Sequence, residues 1–337
     1  MDRFTVVMMN IDLSGLADFT ARPYAGPADH LAMAGLVNNW HEAIGLLEHA
    51  TVADVNNSYA HLNNCDPAAD MVMVDGPDGT LAGYIRVEWA DVAGEPTRYW
   101  TVPHIDPAHR DTALWPRLAE AAIERNLVIA ADHHSETGKV LEGFSDRDRA
   151  PDIGDRYEAL GFDIETYGAS MSRTLEGDLP THRLPDGLEM RPVTEEQLRQ
   201  IWEADTEAFR DHWGWAEPTE NDYQWFVDNP HRDISLWRVA WDGDEVAGQV
   251  KSYINHEENG VLDRRRGYTE FISTGRRWRK QGVASALICA SFEALRDAGM
   301  TEAALGVHAE NPTGAFHLYE SLGFEVESMW LTWQRPI

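Results

Sequence analysis

Nine consecutive residues, Arg276-Arg277-Trp278-Arg279-Lys280-Gln281-Gly282-Val283-Ala284, place four cations and a small-residue turn inside a chain of formal charge -29. Residues 268–274 before them alternate like a strand, and residues 284–298 after them have helical apolar spacing. A strand, a cationic glycine-containing loop and a helix start form a seat for an anion. Backbone amides at the helix start have no partner within the helix, and the helix dipole favours negative charge there. Small residues at Gly282 and Ala284 leave those amides open to an anion's oxygens. The run lacks the Lys-Ser/Thr ending of a P-loop and the GxGxxG spacing of a dinucleotide site. A mononucleotide enzyme is therefore disfavoured.

The elements that must hold this loop come from a chain of 337 residues with 43% hydrophobic composition, enough for two cores. Two cysteines, Cys65 and Cys289, give neither a disulfide framework nor a CxxC pair, and no metal site is expected. No apolar run reaches membrane-spanning length, and the N-terminus lacks the basic flank of a signal peptide, so a cytoplasmic protein without membrane contact is expected. Lys plus Arg number 28 against 57 Asp plus Glu. A field of that sign repels nucleic acid, and the basic cluster is too short to be a duplex footprint. The acidity suits a cationic substrate, although solubility alone also accounts for it.

The chain repeats itself. The turn Asp78-Gly79, followed by Leu81-Ala82-Gly83-Tyr84-Ile85, resembles Asp242-Gly243, followed by Glu245-Val246-Ala247-Gly248-Gln249. Likewise Tyr157-Glu158-Ala159-Leu160-Gly161-Phe162 echoes Tyr319-Glu320-Ser321-Leu322-Gly323-Phe324. The first match is offset by 165 residues (83 to 248) and the second by 162 (161 to 323). Two matches in the same order at nearly one offset point to a tandem duplication of an α/β unit. The expected division is an arm or extra strand over 1–18, a first domain over 19–172, a linker over 173–187 and a second domain over 188–337.

Within the second copy, strands are expected at 188–191, 237–241, 246–254, 268–274, 303–307 and 324–333. Helices are expected at 195–209, around 223–226, at 284–298 and at 313–321. Hairpins that feed a central strand, followed by alternating helices and strands, give an α/β (α+β) fold: a mixed central sheet flanked by helices.

From 188 to 333 the second copy resembles the GNAT superfamily of acyl-CoA-dependent N-acetyltransferases. The family's signature, Gln or Arg, two residues, Gly, one residue, Gly or Ala, is met by Arg279-Lys280-Gln281-Gly282-Val283-Ala284. Its later segment, an Asn followed by a Tyr and then Gly-Phe, is met by Asn311, Tyr319, Gly323 and Phe324. The resemblance implies acetyl-CoA as acyl donor, with Phe271, Ile272 and Ser273 along the pantetheine arm. It places Arg279, Lys280, Gln281, Gly282, Val283 and Ala284 around the pyrophosphate. Asn311 then either contacts the arm or caps the following helix. Tyr319 matches the tyrosine that returns a proton to the departing thiolate, a transfer suited to a phenol near pKa 10 and a thiol near 8.5.

The acceptor must lose a proton before it attacks, and the resemblance implies a carboxylate on the central strand as base. Glu270 fills that role if its face, shared with Tyr268 and Ile272 by alternation, is the cleft; otherwise it is structural. His308 is a second candidate, and His317 reads as a surface histidine. Trp213 and Tyr223 are expected to line an aromatic acceptor entrance, with helix packing as the other reading for these rings. The acidic segment 255–259 reads as a solvated loop, with reception of a cationic amine as the other reading. Cys289 reads as a buried structural thiol.

The first copy departs from this pattern. Arg110 stands for Arg279, but Ala113 and Trp115 replace Gly282 and Ala284, Asp111 adds the wrong charge, and Arg149 stands where Asn311 would be. An indole at 115 would crowd a pyrophosphate. The expectation is a degenerate first domain beside a catalytic second one, as in tandem members of the family. The acceptor is expected to be a small-molecule primary amine, with a peptide or protein amine as the other substrate class. A non-catalytic acyl-CoA sensor or scaffold is the rival function. A monomer or homodimer is expected.

Overall fold

The computed structural model describes residues 9–308 and 314–337. By contact density the chain forms two compact units, one of Met1–Glu165 with Leu331–Ile337 and one of Thr166–Trp330. This division differs from the sequence expectation at two places. Residues from Thr166 onward belong with the second unit, and the last seven residues belong with the first. Both boundaries fall inside a long final strand of a copy, Asp163–Thr174 in one and Glu325–Pro336 in the other.

In chain order the elements up to residue 159 are β1 (Thr20–Arg22), α1 (His30–Ile44), α2 (Val52–Ala60), α3 (Pro67–Asp70), β2 (Met71–Asp75), β3 (Leu81–Arg86), β4 (Trp89–Ala90), β5 (Thr97–Trp100), β6 (His104–Ile105), α4 (Leu114–Ala131), β7 (Lys139–Asp146) and α5 (Pro151–Ala159). From there follow β8 (Asp163–Thr174), β9 (Glu189–Met190), α6 (Leu198–Phe209), α7 (Glu220–Val227), β10 (Arg238–Asp242), β11 (Glu245–Tyr253), α8 (His256–Val261), β12 (Arg266–Thr274), α9 (Val283–Asp297), β13 (Glu302–His308), α10 (Ala315–Ser321) and β14 (Glu325–Pro336). The mixed sheets flanked by helices agree with the expected fold class.

In the first unit, β1, β2, β3 and β6 form one antiparallel sheet, and β5 pairs in parallel with β7. The chain end completes this unit: Ile337 donates to the Lys139 carbonyl, and Trp333 Nε1 donates to Ser145 Oγ. Trp115 and Tyr157 are fully buried in its core, their rings edge to face at 5.1 Å. The Tyr157 hydroxyl donates to the Thr101 carbonyl at 2.7 Å. Arg110 is paired with Asp152 and lies over the Trp40 ring.

In the second unit the strands lie in the order β8-β13-β12-β11-β10-β9, with β12 and β13 the parallel pair. The apolar face of α9, including Leu287, Phe292 and Leu295, is buried with Val250 and Ala303. Leu295 packs so tightly on Gly267 of β12 that a Cβ there would overlap it. On the other face, α6 and α7 pack with Trp237, Val239 and Trp241 of the β10 region. A buried ion pair ties α6 to the sheet: Lys251 Nζ meets Asp205 Oδ2 at 2.6 Å, and Gln249 Nε2 donates to Asp205 Oδ1 at 3.2 Å.

The segment 255–259, expected as a solvated loop, instead begins the helix α8. Asn255 caps it by accepting the Glu258 amide, and Glu258 is buried against Arg264 and the Tyr268 hydroxyl. Paired this way inside the protein, its acid is not offered to a ligand.

Candidate active site

The site begins with a failure of strand pairing. β12 and β13 share only three residue pairs, from Arg266↔Glu302 to Tyr268↔Ala304, whereas β13 keeps pairing with β8 as far as His308↔Gly168. Beyond Tyr268 the two parallel strands therefore diverge. On its other edge β12 carries one extra residue against β11, between the pairs Lys251↔Glu270 and Gln249↔Ser273. Phe271 sits in this bulge with φ 49°, a left-handed conformation costly for a residue with a Cβ. The bulge turns β12 away from β13 and opens the sheet.

The gap leads into a cavity of about 820 Å³. One wall is the 270–274 stretch and the opposite wall is Gly306 to His308. Glu270 Oε1 accepts the Gly306 amide at 2.9 Å across the divergence, so this carboxylate belongs to the cavity and replaces a missing ladder bond.

At one end stands the 279–284 loop, expected to seat an anion. Lys280 has φ 60° and Gly282 φ 85°, and Gly282 is the residue from which α9 starts. No other group approaches within 4 Å of where a Cβ on Gly282 would be. The α9 start is thus uncovered, as a pyrophosphate seat requires. Lys280, Gly282, Val283 and Ala284 all border the cavity. Gln281 does not; it is exposed and donates back to the Arg277 carbonyl.

Arg279 also borders the cavity, yet its guanidinium is tied elsewhere. It donates to the Thr274 and Ala208 carbonyls and pairs with Asp211 at 2.9 Å. Asp211 also holds Arg276 at 2.7 Å, and these two arginines keep its carboxyl down at about 2. Arg277 pairs with Asp242 and Glu245. Much of the cationic run is therefore balanced by the protein's own acids. Asp211 was not singled out as a site residue from sequence, since nothing local links it to a loop more than sixty residues later.

Tyr319 lies in α10 beside the same cavity and is 7% exposed. Burial first, and then the Glu270 charge, push its phenol well above the usual value. Tyr319 and Glu270 thus face one space from opposite elements. Asn311 lies outside the described residues.

The remaining wall comes from α6 and the loop after it, through Phe209 and His212, and from His308 and Trp330. Trp213 does not border the cavity directly, but its ring lies tilted 5.1 Å from His308. Tyr223 is not part of this wall. It packs against Trp202 at 5.2 Å with the Arg199 guanidinium over its ring, which corrects the expectation that it lines an entrance. His317 is exposed and paired with Glu320, and Cys289 is buried within α9.

Comparison with known proteins agrees with this geometry. Residues 196–324 match the Acetyltransferase (GNAT) family. A mycothiol acetyltransferase of Pseudarthrobacter chlorophenolicus is 26% identical over 271 residues, covering 79% of this chain and 75% of that protein. Among solved structures, a GCN5-related N-acetyltransferase from Sphaerobacter thermophilus superposes with TM-score 0.69 at 23% identity, covering 95% of this chain and 96% of that one. A tandem GNAT protein from the clavulanic acid biosynthesis pathway gives TM-score 0.64 at 15% identity, covering 94% and 98%.

Proposed function

We propose that this chain is an acyl-CoA-dependent N-acetyltransferase of the GNAT superfamily, tandem type, whose second unit transfers acetyl from acetyl-CoA to a primary amine of a small molecule. The observation that carries this reading is the divergence of β12 and β13 into a cavity with an uncovered helix start at one end and Glu270 and Tyr319 at its sides. The Gly282 turn and Lys280 receive the donor's pyrophosphate, and the 271–273 backbone runs beside its arm.

In the proposed reaction Glu270 takes a proton from the ammonium form of the acceptor. The neutral nitrogen attacks the thioester carbon, and the C–S bond breaks. Tyr319 gives its proton to the departing sulfur and regains one from the amide nitrogen through solvent. A phenol held protonated by burial suits that donor role. Holding both reactants in one cavity supplies much of the rate gain. The relative's name, mycothiol acetyltransferase, favours a small-molecule acceptor.

The first unit, with Trp115 and Tyr157 packed into its core, is proposed to bind no acyl-CoA. The test is acetyl-CoA titration together with a screen of amines for free thiol release. Release that depends on the amine is expected. Tight acetyl-CoA binding with no amine-dependent release across the screen would make the protein a sensor instead.

A further inference from the structure

Trp330, at the end of the second unit, has no part in the donor site, yet the sheet is shaped to seat it. Gly168 of β8 and His308 of β13 are a register pair, and Gly306 lies two residues back along β13. A Cβ added at Gly168 would overlap the Trp330 indole, and one at Gly306 would stand 3.5 Å from it and 3.9 Å from Glu270 Oε1. The side-chain-free Gly168 therefore lets the indole rest against the sheet, while a Cβ at Gly306 would only touch its edge. The ring is only partly buried, borders the cavity, and meets His308 edge to face at 6.1 Å. It forms a flat aromatic floor beside the carboxylate that receives the ammonium.

The charges around the cavity narrow the ligand further. Among the described residues that line it, the lysines and arginines are Lys280 and Arg279, both in the anion loop. The Glu270 end is bordered by Phe209, His212, Phe271, His308 and Trp330. An acceptor with a carboxylate next to its amine would bring that charge toward Glu270 with no lysine or arginine to receive it. Like charges at such distances repel strongly wherever water is partly excluded. An ammonium, by contrast, gains from both the carboxylate and the indole face.

We propose that Trp330 is the platform on which the acceptor lies, and that the acceptor is a ring-bearing primary amine with no carboxylate beside the nitrogen. This rests on the acetyl-transfer reading above. Trp330 acts by stacking on the substrate's ring, so its removal weakens acceptor binding while leaving the donor untouched.

The test uses the full chain with acetyl-CoA at about pH 8, where an ordinary imidazole is neutral and cannot stand in for a fixed cation. Amines are offered in pairs that share a ring and differ by one carboxylate: tyramine and tyrosine, tryptamine and tryptophan, histamine and histidine. Thiol release is followed for each. The carboxylate-free member of each pair is expected to have at least about tenfold higher kcat/KM. Trp330→Ala should raise the KM for these amines about tenfold with the KM for acetyl-CoA unchanged, and Trp330→Phe should recover most of the loss. Gly168→Ala, which displaces the indole without deleting it, should reproduce the Trp330→Ala effect and guards against a variant that fails to fold. Equal or better use of the carboxylate-bearing amines would overturn the substrate class. An unchanged amine KM in both Trp330→Ala and Gly168→Ala would overturn the platform. Failure of every ring amine while acetyl-CoA still binds would overturn the acceptor inference alone; loss of acetyl-CoA binding by the unmodified protein would overturn the transferase reading beneath it.

Discussion

Replacement of Gly282 separates the two things that residue does. Its φ of 85° is a left-handed conformation, and no atom lies within 4 Å of an added Cβ. Gly282→Ala therefore meets no clash and costs only backbone strain, about 1–2 kcal/mol. Gly282→Glu carries the same strain but places a carboxylate at the start of α9, where the helix dipole returns roughly 0.3–1 kcal/mol. The glutamate variant should thus be the more stable of the two by thermal denaturation. Its affinity for acetyl-CoA should run the other way. At about 5 Å from a phosphate charge, with a dielectric between interior and bulk values, the repulsion is roughly 1–3 kcal/mol, or about 5- to 150-fold in Kd. The alanine variant should bind within a few-fold of the unmodified protein. Calorimetric titration at about 0.01 M and 0.15 M salt adds a second check, because the glutamate penalty should shrink as the Debye length falls from ~30 to ~8 Å. Equal acetyl-CoA affinities for the two variants at low salt would refute the pyrophosphate seat, whatever their stabilities.

Three further outcomes are expected. Tyr319→Phe should leave acetyl-CoA affinity nearly unchanged and lower kcat about 10²–10⁴-fold in thiol-release assays; because the phenol is held protonated by burial and the Glu270 charge, the lost activity should not return between pH 6 and pH 9. Asp205→Ala should destabilise the second unit by about 3–5 kcal/mol in denaturant unfolding, since it strands the buried Lys251 ammonium, whereas the double variant Asp205→Leu with Lys251→Met should regain much of that loss. Alkaline solution should unfold the protein steeply: burial raises the phenols of Tyr59, Tyr84, Tyr157, Tyr268 and Tyr319 above the unfolded value near 10, so the unfolded chain sheds these protons first. Their stabilisation is present below about pH 10 and is lost above it, by about 1.4 kcal/mol per pH unit for each tyrosine, as circular dichroism against pH would record.

What could be read from the chain was whatever local geometry dictates. A left-handed turn favours a glycine, so the turn at Gly282 and the helix start beside it were legible in the residue types. The strand and helix order of the second unit followed from apolar spacing for the same reason. Alternation failed where the backbone departs from it. It put Tyr268, Glu270 and Ile272 on one face, but the bulge at Phe271 inserts a residue, and the whole 270–274 stretch borders the cavity. Nothing in the residue types of a strand marks one extra residue against its neighbour. Charge counting failed in a different way. A count of four cations in one loop does not show that Asp211, Asp242 and Glu245 from other elements neutralise much of their charge. Tyr223 was misplaced because an aromatic ring near a charged loop suits helix packing as well as ligand binding, and only tertiary contacts tell them apart.

The two copies show what turns this fold from a packed core into a binding cleft. Gly143 of β7 and Gly306 of β13 occupy matching places, offset by 163 residues, close to the offset of the other repeats. In the first unit a Cβ on Gly143 would overlap the ring of Tyr157 itself, and the Tyr157 hydroxyl bonds to the Thr101 carbonyl. That tyrosine has become a plug, backed by the Trp115 indole where the second copy has Ala284. In the second unit the tyrosine at the matching place, Tyr319, borders open space, and the glycine amide is met by Glu270 instead. The exchange of a small residue for an indole at the helix start and the direction of one phenol are linked. With Trp115 at the start of α4, Tyr157 meets the indole edge to face and donates to the Thr101 carbonyl, so packing sets its position. With Ala284 the start of α9 stays open to the cavity, and burial holds the Tyr319 phenol protonated beside it.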